Sequence, residues 1–172
     1  LEGWQDNVTF PDLDAIDWTE SAQGMEKYYD SNRMSDWWIS IGPFERLHSL
    51  LGMENALVAL IEDTDLVGEF FEAFTDYKVK LIKKLTTHYR VDMVCFHDDW
   101  GCNQNGFIPP AVFKKIFVPN MKKVVDAVHD GGAYFNLHSD GNIEQYIPDI
   151  VALGIDMWNP AQVVNDLAWI KR

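Results

Sequence analysis

His138 and Asp140 stand two apart in Ala133-Tyr134-Phe135-Asn136-Leu137-His138-Ser139-Asp140-Gly141-Asn142. On an extended backbone residues i and i+2 point to one side, so one cation can take an imidazole nitrogen and a carboxylate oxygen together. His138 and Asp140 are therefore the candidate metal ligands. The plainer arrangement with the same spacing is an imidazole bonded to a neighbouring loop, with Asp140 and Gly141 making a turn.

A second cluster, His97-Asp98-Asp99-Trp100-Gly101, sets two carboxylates side by side. Both cannot ionise cheaply without a cation or a donor, so one is held above its usual pKa, which suits proton handling or cation binding. Asp98 and Asp99 are the candidate catalytic residues. His97, Trp100, Trp158 and Asn159 are the candidate substrate contacts, the two tryptophans as walls for a flat substrate. A loop cap at either acid, a packed His97 and core tryptophans are the competing roles.

Both clusters end β-prone runs. The pattern predicts strands at 37–41, 91–96, 133–137 and 155–158, tipped by Gly42-Pro43, His97-Asp98-Asp99, His138-Ser139-Asp140 and Asn159-Pro160. Helices are expected between them. The longest carries Val67, Phe70, Phe71, Phe74, Tyr77, Leu81 and Leu85 at three-to-four spacing, a core stripe. Pro109-Pro110 starts another, which Pro119 breaks and restarts before Gly131-Gly132 stops it. The last runs from Ile143 to Leu153, with Asn142 and Gln145 spaced as a capping box and Gly154 at its end. Strands alternating with helices give an α/β chain with a parallel sheet, and ligands then sit beyond the strands' carboxyl ends. No G-x-G-x-x-G follows the first strand, which argues against a dinucleotide-binding sheet. Residues 1–36 read as a peripheral arm with a helix over 20–29, and 37–172 as the four-stranded portion.

The bulk numbers fit one domain with an ample core: 172 residues, 47% hydrophobic and 13% aromatic. A net charge of -13 with no basic run would repel nucleic acid. Cys95 and Cys102 make no disulfide framework, Cys95 reading as buried and Cys102 as a loop thiol. No apolar run is long enough for a membrane span. A soluble, cytoplasmic protein is expected.

Taken in order, Gly42-Pro43-Phe44, Phe96-His97-Asp98-Asp99-Trp100-Gly101, Pro119, Leu137-His138-Ser139-Asp140-Gly141-Asn142 and Gly154-Ile155-Asp156 resemble the uroporphyrinogen decarboxylase superfamily over residues 37 to 162. The resemblance implies about half of a TIM (β/α)8 barrel. Its corrinoid-linked methyltransferase branch uses a zinc-held thiolate and the pattern His-x-Cys-Gly-Asn; His138, Gly141 and Asn142 match it, and Asp140 stands where the cysteine would be. An oxygen ligand there makes a harder zinc site. The resemblance thus implies methyl transfer to a thiol or similar acceptor, with zinc and a corrinoid carried by a partner protein. The alternative it carries is decarboxylation of tetrapyrrole acetate groups in porphyrin biosynthesis, for which only Asp98 and Trp100 fall in the matching stretch. A non-catalytic barrel fragment is the third possibility. The chain opens at Leu1 without methionine and stops where a helix begins, so it reads as part of a larger enzyme. By itself it is expected to be inactive, and to self-associate through bare sheet edges.

Overall fold

The computed structural model describes residues 1–171. It begins with the short α1 (Trp4–Asn7) and α2 (Trp18–Met25), the latter capped by Asp17, whose carboxylate accepts from the Glu20 N–H at 2.9 Å. Then come β1 (Asp36–Ile39), α3 (Pro43–Leu51), α4 (Met53–Glu62), α5 (Thr64–His88) and β2 (Met93–His97). One helical turn, α6 (Pro110–Val112), runs through a π-helical segment at Phe113–Phe117 into α7 (Val118–Asp130). β3 (Tyr134–His138), α8 (Ile147–Leu153), β4 (Met157–Asn159) and α9 (Leu167–Ile170) complete the chain.

The four strands pair in parallel in the order β1-β2-β3-β4. Strand order that follows chain order without reversal is the arrangement of a β/α barrel, whereas a doubly wound sheet reverses partway. β2 and β3 each run one residue past their expected ends. That places His97 and His138 inside the ladder as direct cross-strand partners, with Asn159 opposite His138.

Because side chains alternate along a strand, this register divides the sheet into two unlike faces. Ile39, Val94, Phe96, Phe135 and Leu137 point to the helices and are buried. Each such burial contributes roughly 2 kcal/mol relative to exposure. The opposite face carries Asp36, Trp38, Met93, Cys95, His97, Tyr134, Asn136, His138, Met157 and Asn159, and of these Trp38 and Tyr134 are more than half exposed. The helical core packs on the first of these faces.

On that side α5 lies against α7, and the predicted stripe is the core: Val67, Phe70, Phe71, Phe74 and Leu85 are buried, with Tyr77 and Leu81 packed at its edge. Pro119 does not break its helix. It sits in the first turn of α7, just after the wide π turn at 113–117, where a missing N–H and a bulky ring are tolerated. Gly154 takes the expected left-handed conformation at the end of α8 (φ 79°). The capping box does not form: Asn142 accepts from the Glu144 N–H at 3.2 Å, while the Gln145 amide donates to the Ile108 carbonyl. The arm docks on α5, with Trp4 edge-on to Phe70 and Phe10 stacked on Tyr77. Among the described residues no helix is long and apolar enough to cross a membrane.

Candidate metal centre at the strand ends

Two imidazoles and a carboxylate converge on the open face at the carboxyl end of the sheet. His97, Asp99 and His138 each offer a ligand atom, and these atoms lie within 4.8 Å of one another. The imidazole rings meet edge to face with centroids 4.4 Å apart, and Trp38 packs beside both. Adjacent parallel strands supply the two histidines in register. Asp99 reaches the same point from the loop after β2, its Oδ1 held by the Asp140 N–H at 2.8 Å and 3.3 Å from His97 Nε2.

Each histidine has an outer partner on its other ring nitrogen. Asn159 Oδ1 is 2.8 Å from His138 Nδ1, and the Asn159 amide donates in turn to Asn136 Oδ1 at 2.7 Å. With its nitrogen donating to Asn136, the Asn159 oxygen accepts, so His138 carries its proton on Nδ1 and presents the Nε2 lone pair to the cluster. Glu45 Oε2 lies 3.4 Å from His97 Nδ1 and is buried with no aligned hydrogen bond. Burial pushes the Glu45 carboxyl above its usual range, opposed by His97. Glu45 is a site residue that the sequence did not disclose, because it enters from the first turn of α3, far from either histidine in the chain.

Asp98 does not reach this mouth. The pleat turns it to the rear face, where it is fully buried and accepts from the Phe44 N–H (3.3 Å), the Glu45 N–H (2.9 Å) and Trp100 Nε1–H (2.8 Å). It caps α3, and burial pushes its carboxyl up to about 7 against those three donors. A Cβ on Gly42 would overlap the Asp98 side chain, so only glycine lets the strand end approach so closely. Trp100 and Trp158 are likewise not mouth walls. Trp100 is fully buried among Phe113, Phe117 and Tyr146, and Trp158 lies on the helix-facing side with its indole N–H on the Ser139 carbonyl.

The family model "Uroporphyrinogen decarboxylase (URO-D)" matches residues 39–171. The chain belongs to the URO-D family. Its structure is similar to that of a methyltransferase from Methanosarcina mazei, with a TM-score of 0.65 over 82% of this chain at 15% identity. At that identity the likeness is one of fold: the four parallel strands are part of a URO-D-type barrel. The chain spans 40% of that methyltransferase's length. No curated protein matches it.

Within this URO-D chain the expected pairing of His138 with Asp140 is replaced by a different set. Asp140 lies outside the His97–Asp99–His138 group; its carboxylate accepts from the Gln162 amide at 3.1 Å and its N–H is given to Asp99. The i, i+2 rule fails there because β3 ends at His138 and the chain turns through Gly141 (φ 82°). That turn rests on Gly101 so closely that a Cβ on Gly141 would overlap the Gly101 backbone. The two loop tips are thereby locked together, and Asp99 is held over the histidines.

Proposed function

We propose that this chain contributes a divalent-metal centre, with His97, Asp99 and His138 as ligands, to an enzyme that transfers a methyl group to a thiol or similar acceptor. The carrying observation is the convergence of two imidazoles and one carboxylate from neighbouring strand ends. Three protein ligands with an open position are the pattern of catalytic zinc, and the outer partners Asn159 and Glu45 are of the kind that orient metal-bound histidines. The donor set is His, His and carboxylate, harder than one containing thiolate. A bound divalent cation would supply a Lewis acid that lowers the pKa of a thiol docked in the open position.

The chain's own groups prepare that position. Asn159 fixes the His138 tautomer, Glu45 faces His97 Nδ1 so that Nε2 is turned to the cluster, and Asp99 brings negative charge to balance a cation. Trp38 offers an apolar surface beside the two rings, suited to excluding water from one side of a reacting methyl group. The methyl donor in this reading is a corrinoid carried by a partner protein. Decarboxylation of a tetrapyrrole is the second reading and rests on the family match alone.

Titration of the purified, metal-stripped chain with zinc tests the proposal. One equivalent bound, lost in His138→Ala and His97→Ala, is expected; methyl transfer from methylcobalamin to a small thiol is then measured with and without zinc. A chain that binds no metal in one-to-one ratio would overturn the reading.

A further inference from the structure

A second set of charged groups lies outside the metal centre, between α3, α5 and the amino-terminal arm. Lys78 of α5 is only 7% exposed. Its Nζ donates to the Ser40 carbonyl at 3.1 Å and lies 5.1 Å from the Phe74 ring centroid. Arg46 lines the same cleft, a space of about 430 Å³ that also meets Phe10, Phe74 and Tyr77. Burial, and next the positive charge of Arg46, pull the Lys78 ammonium down to about 8.

Among the described residues neither cation is in an ion pair. Asp98 and Glu45, whose charges act on Lys78, are committed elsewhere: Asp98 to its three N–H donors and Glu45 toward His97. Two neighbouring cations without a direct ion-pair partner, one of them buried, in a chain of net charge -13, favour an anion that joins them. Asn7 and Thr9 add polar groups to the rim, and the rest of the lining is apolar, with Phe10 and Tyr77 stacked at 5.3 Å. Its volume is in the range of small-molecule sites, and an arginine fork matches a carboxylate's two oxygens.

We propose that this cleft binds a small aromatic carboxylic acid, its carboxylate between Arg46 and Lys78 and its ring against Phe10, Phe74 and Tyr77. The site is distinct from the metal centre and does not depend on it. Ser40, which Lys78 holds, directly follows β1, so an occupant lies behind the strand end whose Trp38 borders the histidines.

Calorimetry and saturation-transfer NMR on the folded chain, with benzoate, benzyl alcohol and inorganic phosphate as probes, test this. Benzoate is expected to bind at one site, with benzyl alcohol weaker by about tenfold or more and Arg46→Gln costing a similar factor. Lys78→Met is expected to act alike, and the half-buried Arg46 keeps the test sound if the Lys78 variant does not fold. His97→Ala should leave benzoate binding unchanged. The proposal is overturned by absence of saturable benzoate binding at millimolar concentration, by binding that survives Arg46→Gln unchanged, by loss of binding in His97→Ala, or by phosphate binding as tightly as benzoate.

Discussion

Asn159 Oδ1 and His138 Nδ1 are 2.8 Å apart, across neighbouring strands and in direct register. This contact decides which ring nitrogen of His138 is left for chemistry. Asn159→Ala removes it without touching a ligand atom. Zinc affinity is expected to fall by about 10- to 100-fold, with little change in unfolding midpoint, and a competition titration against a chelator checks this.

His97→Ala and Asp99→Asn are expected to weaken zinc binding by about 100-fold or more, beyond the loss of an outer partner. Asp140→Asn should leave affinity almost unchanged, since that carboxylate faces Gln162. The opposite ranking, with Asp140 dominant over His97, would restore the pairing of His138 with Asp140 and remove the three-ligand set.

Asp98→Ala leaves three buried N–H donors without an acceptor and is expected to cost about 3 kcal/mol or more in denaturant unfolding. Asp98 also sets a pH dependence. Its carboxyl titrates near 7 in the folded chain, against 3.8 as the ordinary value. Its contribution is therefore fully present below that ordinary value and is lost as pH rises through 7, because the unfolded chain releases its proton first. The stability difference between wild type and Asp98→Asn should shrink from about pH 4 to about pH 7 and level off above that. A difference that grows over that range would show the carboxyl to be ionised in the core.

Trp100→Ala is expected to destabilise by about 3–5 kcal/mol, the cost of emptying a packed aromatic site. Thermal melts measure it. A variant that kept its melting temperature and lost only ligand affinity would put Trp100 back in the mouth.

Four parallel strands, the helical stripe on α5 and the polar tips were legible because each depends on local pattern: β-prone runs, three-to-four spacing, and glycine or proline at the ends. The membership of the site was less so. Strand ends were misjudged by a single residue at His97 and His138, and with a period of two a single residue decides which face a side chain takes. Hence Asp98, next to a true site residue, is a helix cap, while Asp99 beyond it joins the cluster. Glu45 was invisible for another reason: its role comes from a helix folding back over the strand end, a contact between positions 52 residues apart. Trp158 was misplaced by the same alternation as Asp98, and Trp100 by a loop that turns inward to meet Phe113 and Tyr146.

His97 and Asp98 are consecutive, yet they engage the same turn of α3 from opposite sides of the sheet: Asp98 through the Glu45 backbone N–H, His97 toward the Glu45 carboxylate. Glu45 is thus a pin loaded in double shear. A shift of α3 on the rear face changes where the Glu45 carboxylate stands relative to the imidazole in front. Substitutions at 45 and 98 should therefore show strong non-additivity in a double-mutant cycle. Through this one side chain the packing behind the sheet has a line of contact to the chemistry before it.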